Sequence, residues 1–202
     1  MSKIINTPQL IAFDVDGCVL NFVEGFKLWM QQHHGRITER GEDHVRGYPT
    51  FVQDLYPDFN PKPLHEILDD YFEHPIYAQM QPFPHAVEAV YQIKQTFKNV
   101  RCIAVSSVPD DEAHIRARQQ QLAPFGFDAF KAVGLGQIKA DYLTEAGACL
   151  LFDDHPEQIE AAEAKGIKAI MVTRAWNKHH PHPHRLNSWQ EAIKTIHHRF
   201  AV

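Results

Sequence analysis

Asp14 and Asp16 stand two residues apart in FDVDG, directly behind the apolar run LIAF at residues 10–13. Two carboxylates held that close repel one another unless a cation or a proton relieves the charge. A second acidic pair, Asp153 and Asp154, ends the run ACLLFDD, and a hydroxyl pair, Ser106 and Ser107, ends VRCIAVSS. Lys139 lies in GQIKADYL, just past the Gly134/Gly136 turn region and at the start of a helical pattern. Acids gathered in one crevice favour a hard divalent cation with oxygen ligands, most simply Mg2+. An ammonium group at a helix start, beside backbone donors, suits a bound anion. Taken singly, Asp pairs also serve as turn residues and a lone lysine is commonly solvated. Their joint placement at strand ends is what points to chemistry.

That placement depends on the elements. Apolar runs of strand length occur at residues 10–13, 100–105, 129–133, 148–152 and 168–172. Several lack polar alternation, as strands do when helices cover both faces of a parallel sheet. Helical patterns separate them at residues 84–97, 109–122 and 156–165; Pro84 fits a first turn, and Gly166 stops the last of the three. Ser188 with Glu191 forms a capping-box signature ahead of a terminal helix. Repeated β–α units in this order predict an α/β fold built on a doubly wound, mostly parallel, Rossmann-like sheet.

Residues 17–82 break the rhythm. Helix-like stretches at 24–33 and 64–72 flank a segment rich in Pro, Gly and aromatics, and none of it reads as strand. So long a connection is a structure in its own right. The expected organisation is a core of residues 1–17 and 83–202 with a small helical cap, residues 18–82, inserted after the first strand. Ligands of open sheets bind at the carboxyl ends of the strands. A cap rooted there could close over the acids.

Composition narrows the class. The chain has 202 residues, 44% of them hydrophobic, enough for one sizeable core. A formal charge of −5 without a basic, aromatic-interleaved stripe argues against a nucleic-acid polymer as partner. The sequence has no long apolar segment, so no membrane partner is expected, and the start MSKIINTPQL is too polar for a signal peptide. Cys18, Cys102 and Cys149 are far apart and read as buried thiols of a reducing compartment. A cytoplasmic monomer or homodimer is the expectation.

FDVDG at 13–17, VSS at 105–107, Lys139 and FDD at 152–154 follow one another in an order that resembles the haloacid dehalogenase-like hydrolase superfamily, and within it the Mg2+-dependent phosphatase branch. The resemblance implies that Asp14 is the nucleophile that attacks phosphorus and forms an aspartyl-phosphate. It implies that Asp16 acts as acid toward the departing alcohol and as base toward water, its backbone oxygen joining Asp14 at Mg2+. Ser106, with Ser107 beside it, would hold phosphate oxygens, and Lys139 would neutralise phosphate charge. Asp154 would be a direct metal ligand, with Asp153 direct or supporting. An acid/base aspartate at position 16 argues against the dehalogenating members.

The insertion resembles a C1-type cap. Together with FDD it looks similar to the 5'-nucleotidases acting on deoxyribonucleoside monophosphates, although Ser106-Ser107-Val108-Pro109 stands where those enzymes show Thr-Ser-Pro. The implied partner is a small phosphorylated metabolite such as a nucleoside monophosphate. A sugar-phosphate phosphatase, a phosphomutase and a noncatalytic phosphate-binding module are the alternatives.

Phe22, Arg46, His155 and Arg174 are candidate substrate or cap contacts, with Trp176 bordering the entrance. Phe22, Phe26, Trp29, Tyr48, Phe51, Tyr56 and Phe59 could stack a base, but a core position is the stronger expectation for each. The histidines of WNKHHPHPHRL, His179, His180, His182 and His184, read as an exposed segment able to take up zinc or nickel adventitiously. His197 and His198 read as a partly solvated helix face.

Overall fold

The five apolar runs and a two-residue sixth strand, numbered along the chain, lie in the order β3-β2-β1-β4-β5-β6, and every ladder is parallel. The computed structural model describes residues 9–59, 63–109 and 111–200. The strands are β1 (Gln9–Phe13), β2 (Val100–Ser107), β3 (Ala129–Val133), β4 (Ala148–Asp153), β5 (Lys168–Val172) and β6 (Arg185–Leu186). The helices are α1 (Phe22–His34), α2 (Phe51–Leu55), α3 (Leu64–Glu73), α4 (Ala86–Thr96), α5 (Glu112–Leu122), α6 (Ala140–Glu145), α7 (Pro156–Ala164) and α8 (Ala192–Phe200).

Alternation along the strands sorts side chains between two layers. Ile11 and Phe13 of β1 join Cys102, Ala104, Leu150 and Phe152 in the cluster that takes in α4 and α8. Leu10 and Ala12 face the other way, with Ile103, Val105 and Leu151 against Leu143 of α6 and Ala162 of α7. Phe13 stacks on Phe152 at 5.0 Å, locking β1 to β4. Sheet order reverses between these two strands, which makes their carboxyl ends the topological switch point where ligands of such folds bind.

The insertion between β1 and α4 is helical, as expected. Its stems meet where Asn21 N–H donates to the Gln81 carbonyl at 2.9 Å and Phe83 N–H to the Val19 carbonyl at 2.9 Å. Among the described residues its pairing is limited to the isolated bridges Asp16 to Leu20 and Leu20 to Pro82. Phe26, Phe51 and Tyr71 pack edge to face, with Phe26 to Phe51 at 4.8 Å, and Trp29 closes the group. Phe26, Trp29 and Tyr56 are thus core residues and Phe59 packs against the core, whereas the Tyr48 side chain lies outside the described residues.

Four sequence expectations change. β2 and β4 run on to Ser107 and Asp153 because the neighbouring strands still pair there, Ser107 with Val133 and Asp153 with Met171. Pro84 falls outside α4 because His85 takes φ 63°, a left-handed conformation that a helix cannot hold. Ser188 does cap, its hydroxyl accepting from Gln190 N–H at 3.3 Å, but it starts the 3-10 turn Trp189–Glu191 rather than α8 itself.

The largest change concerns the histidine-rich segment. His179 is exposed, but His182 is only 8% exposed and meets the His184 carbonyl through Nδ1 at 2.9 Å. Arg185 folds the segment back, bonding the His180 carbonyl at 3.0 Å and Asn177 Oδ1 at 2.6 Å, so that β6 covers the edge of β5. His197 and His198 are exposed, and the three cysteines are free thiols, Cys18 and Cys102 buried and Cys149 half-buried. Among the described residues no helix is long and apolar enough to cross a membrane.

Candidate active site

The floor of the site is the switch point itself. Asp14 follows β1 and continues its pairing, donating its N–H to the Phe152 carbonyl at 2.8 Å. Asp153 and Asp154 end β4 next door, and one carboxylate oxygen from each of Asp14, Asp153 and Asp154 lies within 4.8 Å of the others. Lys139, on the loop entering α6, is 3% exposed; its ammonium group bonds Asp14 Oδ1 and, at 2.7 Å, Asp153 Oδ2. Burial alone would pull the Lys139 pKa down, but the charges of Asp14 and Asp153 outweigh it and raise it. The group is an ammonium ion. Its own backbone N–H is taken by Gln158 Oε1 at 3.0 Å.

Asp154 is 1% exposed. Burial pushes its carboxyl up to about 8, with His155 partly offsetting the effect and the charges of Asp14 and Asp153 adding to it. Burial also raises Asp153, against the pull of Lys139. Trp176 Nε1–H donates to Asp154 Oδ2 at 2.9 Å, while Asp154 Oδ1 is buried without a hydrogen-bond partner. Leaving a buried acceptor unanswered costs about 1–3 kcal/mol, more when it is charged. An all-oxygen cluster with one unanswered carboxylate oxygen fits a hard divalent cation.

The turn after β1 brings the second aspartate to this floor. The Val15 carbonyl collects the N–H groups of Cys18, Val19 and Leu20 at 3.3, 3.0 and 2.9 Å. Gly17 sits at φ +77°, and a Cβ there would lie 2.8 Å from Asp154 Oδ2 and 3.1 Å from the Trp176 ring. Only glycine satisfies both constraints. Asp16 Oδ2 accepts from Arg118 Nη2 at 2.7 Å and from the Ser106 hydroxyl at 3.4 Å. Ser106 is fully buried and turned toward Asp16, and Ser107 is the serine on the cavity wall.

Above the floor opens a cavity of about 670 Å³. Phe22, Phe51, Leu68 and Phe72 form its insertion side, and Leu135, Ile138 and Trp176 its core side. His65, Asp69, His155 and Glu157 supply polar edges, and Lys139 is the one lysine or arginine among the described lining residues. Phe22 and His155 are both among the residues that line this cavity. His155 also donates its N–H to Asp153 Oδ1 at 2.9 Å.

The two arginines do not. Arg46 has a side chain 78% exposed and pairs with the buried Asp54, Nη2 to Oδ1 at 2.6 Å and backbone N–H to Oδ2 at 2.9 Å. Arg174 bonds the Gly17 carbonyl and, at 3.0 Å, the Cys18 carbonyl, its guanidinium 3.6 Å over the Phe83 ring. It clamps the turn from behind.

Arg118 is the residue the sequence hid. It lies in α5, a helix rich in charged and long side chains, yet it is fully buried. Nothing in its spacing singles it out. Asn177 was equally inconspicuous and ties two strand ends together, Nδ2–H donating to the Asp154 carbonyl at 2.7 Å and the Val172 carbonyl at 2.8 Å.

Known structures share this architecture. A HAD-superfamily hydrolase, subfamily IA, variant 1, from Geobacter sulfurreducens is 15% identical, with a TM-score of 0.56 over 97% of this chain and 100% of that one. CbbY from Rhodobacter sphaeroides, solved with phosphate, is 15% identical with a TM-score of 0.56 over 92% and 96%. Protein Tyrosine Kinase A of Mycobacterium tuberculosis is 17% identical with a TM-score of 0.60 over 98% and 100%. Such low identities speak for the fold alone. No curated protein matches the chain. The family model described as 5' nucleotidase, deoxy (pyrimidine), cytosolic type C protein matches residues 8–200. With its Asp-x-Asp motif at the switch point of a haloacid dehalogenase-like fold, the chain belongs to that family, whose chemistry is phosphatase chemistry through a phosphoaspartate.

Proposed function

We propose that the protein is a Mg2+-dependent phosphomonoesterase that hydrolyses nucleoside monophosphates through an aspartyl-phosphate on Asp14. The observation that carries this reading is the pairing of the Asp14, Asp153, Asp154 and Lys139 floor with a cavity whose walls include Phe22, Phe51 and Phe72. The floor suits one phosphoryl group, and the aromatic walls suit a base better than a bare sugar. A single lysine among the described cavity residues, with Asp69 and Glu157 also present, favours a monophosphate over a more highly charged ester. The proposed cap is residues 18–82 and the proposed core residues 1–17 and 83–202.

In the reaction, an Asp14 carboxylate oxygen attacks phosphorus as the ester oxygen leaves, and the leaving oxygen takes its proton from Asp16. Asp16, now a carboxylate, removes a proton from water as the water oxygen attacks phosphorus and Asp14 departs. The products are the alcohol and inorganic phosphate, with Asp14 and the Asp16 proton restored. Lys139, held by Asp153, answers the charge that accumulates on the phosphoryl oxygens, and Ser107 donates to one of them. Asp14, the Asp16 backbone oxygen and Asp154 would hold Mg2+, which supplies charge neutralisation between two anions that otherwise repel.

The test is phosphate release from a panel of deoxy- and ribonucleoside monophosphates, sugar phosphates and p-nitrophenyl phosphate, using wild type and D14N, with Mg2+ or EDTA. Selective turnover of nucleotides, lost in D14N and in EDTA, is the expected result. Preference for sugar phosphates would overturn the substrate and leave the chemistry. Silence of the folded, Mg2+-loaded wild type across the panel would overturn both.

A further inference from the structure

Arg118 reaches Asp16 across 102 positions of sequence and is 0% exposed. A guanidinium sealed from water is costly unless most of its donors are answered, and here both terminal nitrogens are while Nε is not. Nη2 bonds Asp16 Oδ2 at 2.7 Å and the Tyr77 hydroxyl, Nη1 bonds Gln121 Oε1 at 3.0 Å, and the Tyr77 ring lies 4.6 Å from the guanidinium carbon. Gln121 in turn donates to the Tyr77 carbonyl at 2.5 Å. Tyr77 belongs to the insertion, in the 3-10 turn Pro75–Gln79, while Arg118 and Gln121 lie on α5 of the sheet layer. The turn after β1, the insertion and α5 therefore meet at the Arg118 guanidinium.

The other oxygen of that carboxylate, Asp16 Oδ1, is buried without a hydrogen-bond partner, so among the described residues Arg118 and Ser106 alone hold the group, and Asp16 lines the cavity. We infer that Arg118, seated by Tyr77 and Gln121, is a positioning residue that fixes the direction in which Asp16 exchanges its proton with the leaving oxygen. This rests on the phosphatase reading above. Arg118 acts on where the carboxylate points: its grip on Oδ2 fixes the plane of a side chain that is 22% exposed and lines the cavity. A buried arginine serving packing alone would have no reason to end on the acid/base aspartate.

The two roles separate through the leaving group. kcat/KM covers the steps up to departure of the alcohol, and an alkoxide needs a proton there, whereas p-nitrophenolate does not. The experiment compares kcat/KM for the best alkyl phosphate of the panel with that for p-nitrophenyl phosphate in wild type, R118M, R118K and Y77F, with circular dichroism to verify folding. R118M is expected to lose roughly 100-fold on the alkyl ester and less than about tenfold on the aryl ester. R118K should recover part of the difference, because an ammonium group still reaches one oxygen, and Y77F should show the same skew more weakly. Equal losses on both esters, a gain, or no loss would overturn the positioning role while the phosphatase reading stands. Should R118M not fold, the skew in R118K and Y77F decides in the same way. A wild type inert toward both esters would bring down the phosphatase reading itself, and the inference with it.

Discussion

Trp176 donates its indole N–H to a carboxylate that is 1% exposed and otherwise half unanswered. Removing that bond in W176F leaves Asp154 free to turn, so the apparent Mg2+ affinity is expected to fall roughly tenfold, with turnover at saturating Mg2+ recovered. A Mg2+ titration of activity checks this, and an unchanged midpoint would refute it. Asp154 also sets a pH dependence. Its carboxyl titrates at about 8 in the folded chain against an ordinary 3.8, so between those values the folded state keeps a proton that the unfolded state gives up. The contribution of Asp154 to the stability of the cation-free protein is therefore full below about pH 4 and is lost as pH rises toward 8. A cation competes with that proton, so the gap in Tm between Mg2+ and EDTA should widen over the same window. Thermal melts across that range test it; a gap independent of pH would count against Asp154 as the site of competition. At this scale, Asp14, Asp16, Asp153 and Asp154 stood out because residue type and position at strand ends carry the signal, and Lys139 through its place at a helix start. Arg118 did not, because burial of one arginine in a polar helix depends on what lies opposite it. The pairing of Arg46 was hidden for the same reason, since the demand of buried Asp54 for a cation exists only in three dimensions.

The turn after β1 joins sheet, site and insertion in a few residues, and Gly17 is its tightest point. G17A would place a side chain at φ +77° and 2.8 Å from Asp154 Oδ2, so a loss of about 1–3 kcal/mol in unfolding free energy is expected. Chemical denaturation measures it, and a neutral result would mean that the turn relaxes freely. The loop that carries Arg46 offers a contrast. R46A should lower Tm while leaving turnover unchanged, because the pair braces Asp54 and does not line the cavity; a large activity loss would return Arg46 to the site. The strands of the sheet were legible as uninterrupted apolar runs, and the helices between them through spacing, Gly166 and Pro156. β6 was not, because a two-residue strand among prolines and histidines has no periodicity of its own and exists through Arg185 and the β5 edge.

On the scale of the whole molecule, the sequence announces an insertion, since residues 17–82 interrupt the β–α rhythm, but hides how firmly it is joined. Periodicity marks which side chains are apolar and not which partner they meet. One hydrophobic cluster runs from Phe26, Trp29 and Tyr71 of the insertion to Phe13 and Phe152 of the sheet without interruption. Buried polar links cross the same boundary, with Arg118 and Gln121 on one side and Tyr77 on the other. Elements that share a core in this way lose it together, which predicts one cooperative unfolding transition. The three tryptophans make the prediction local: Trp29 sits within the insertion, and Trp189 lies 5.5 Å from Phe152 against the sheet. Urea unfolding of W176F/W189F, followed through Trp29, and of W29F/W176F, followed through Trp189, should in each protein superimpose on its own far-ultraviolet circular dichroism. If the Trp29 signal changes at lower urea than the circular dichroism of the same protein, the insertion opens ahead of the sheet. The link through Tyr77 would then be able to release Asp16 before the core is lost.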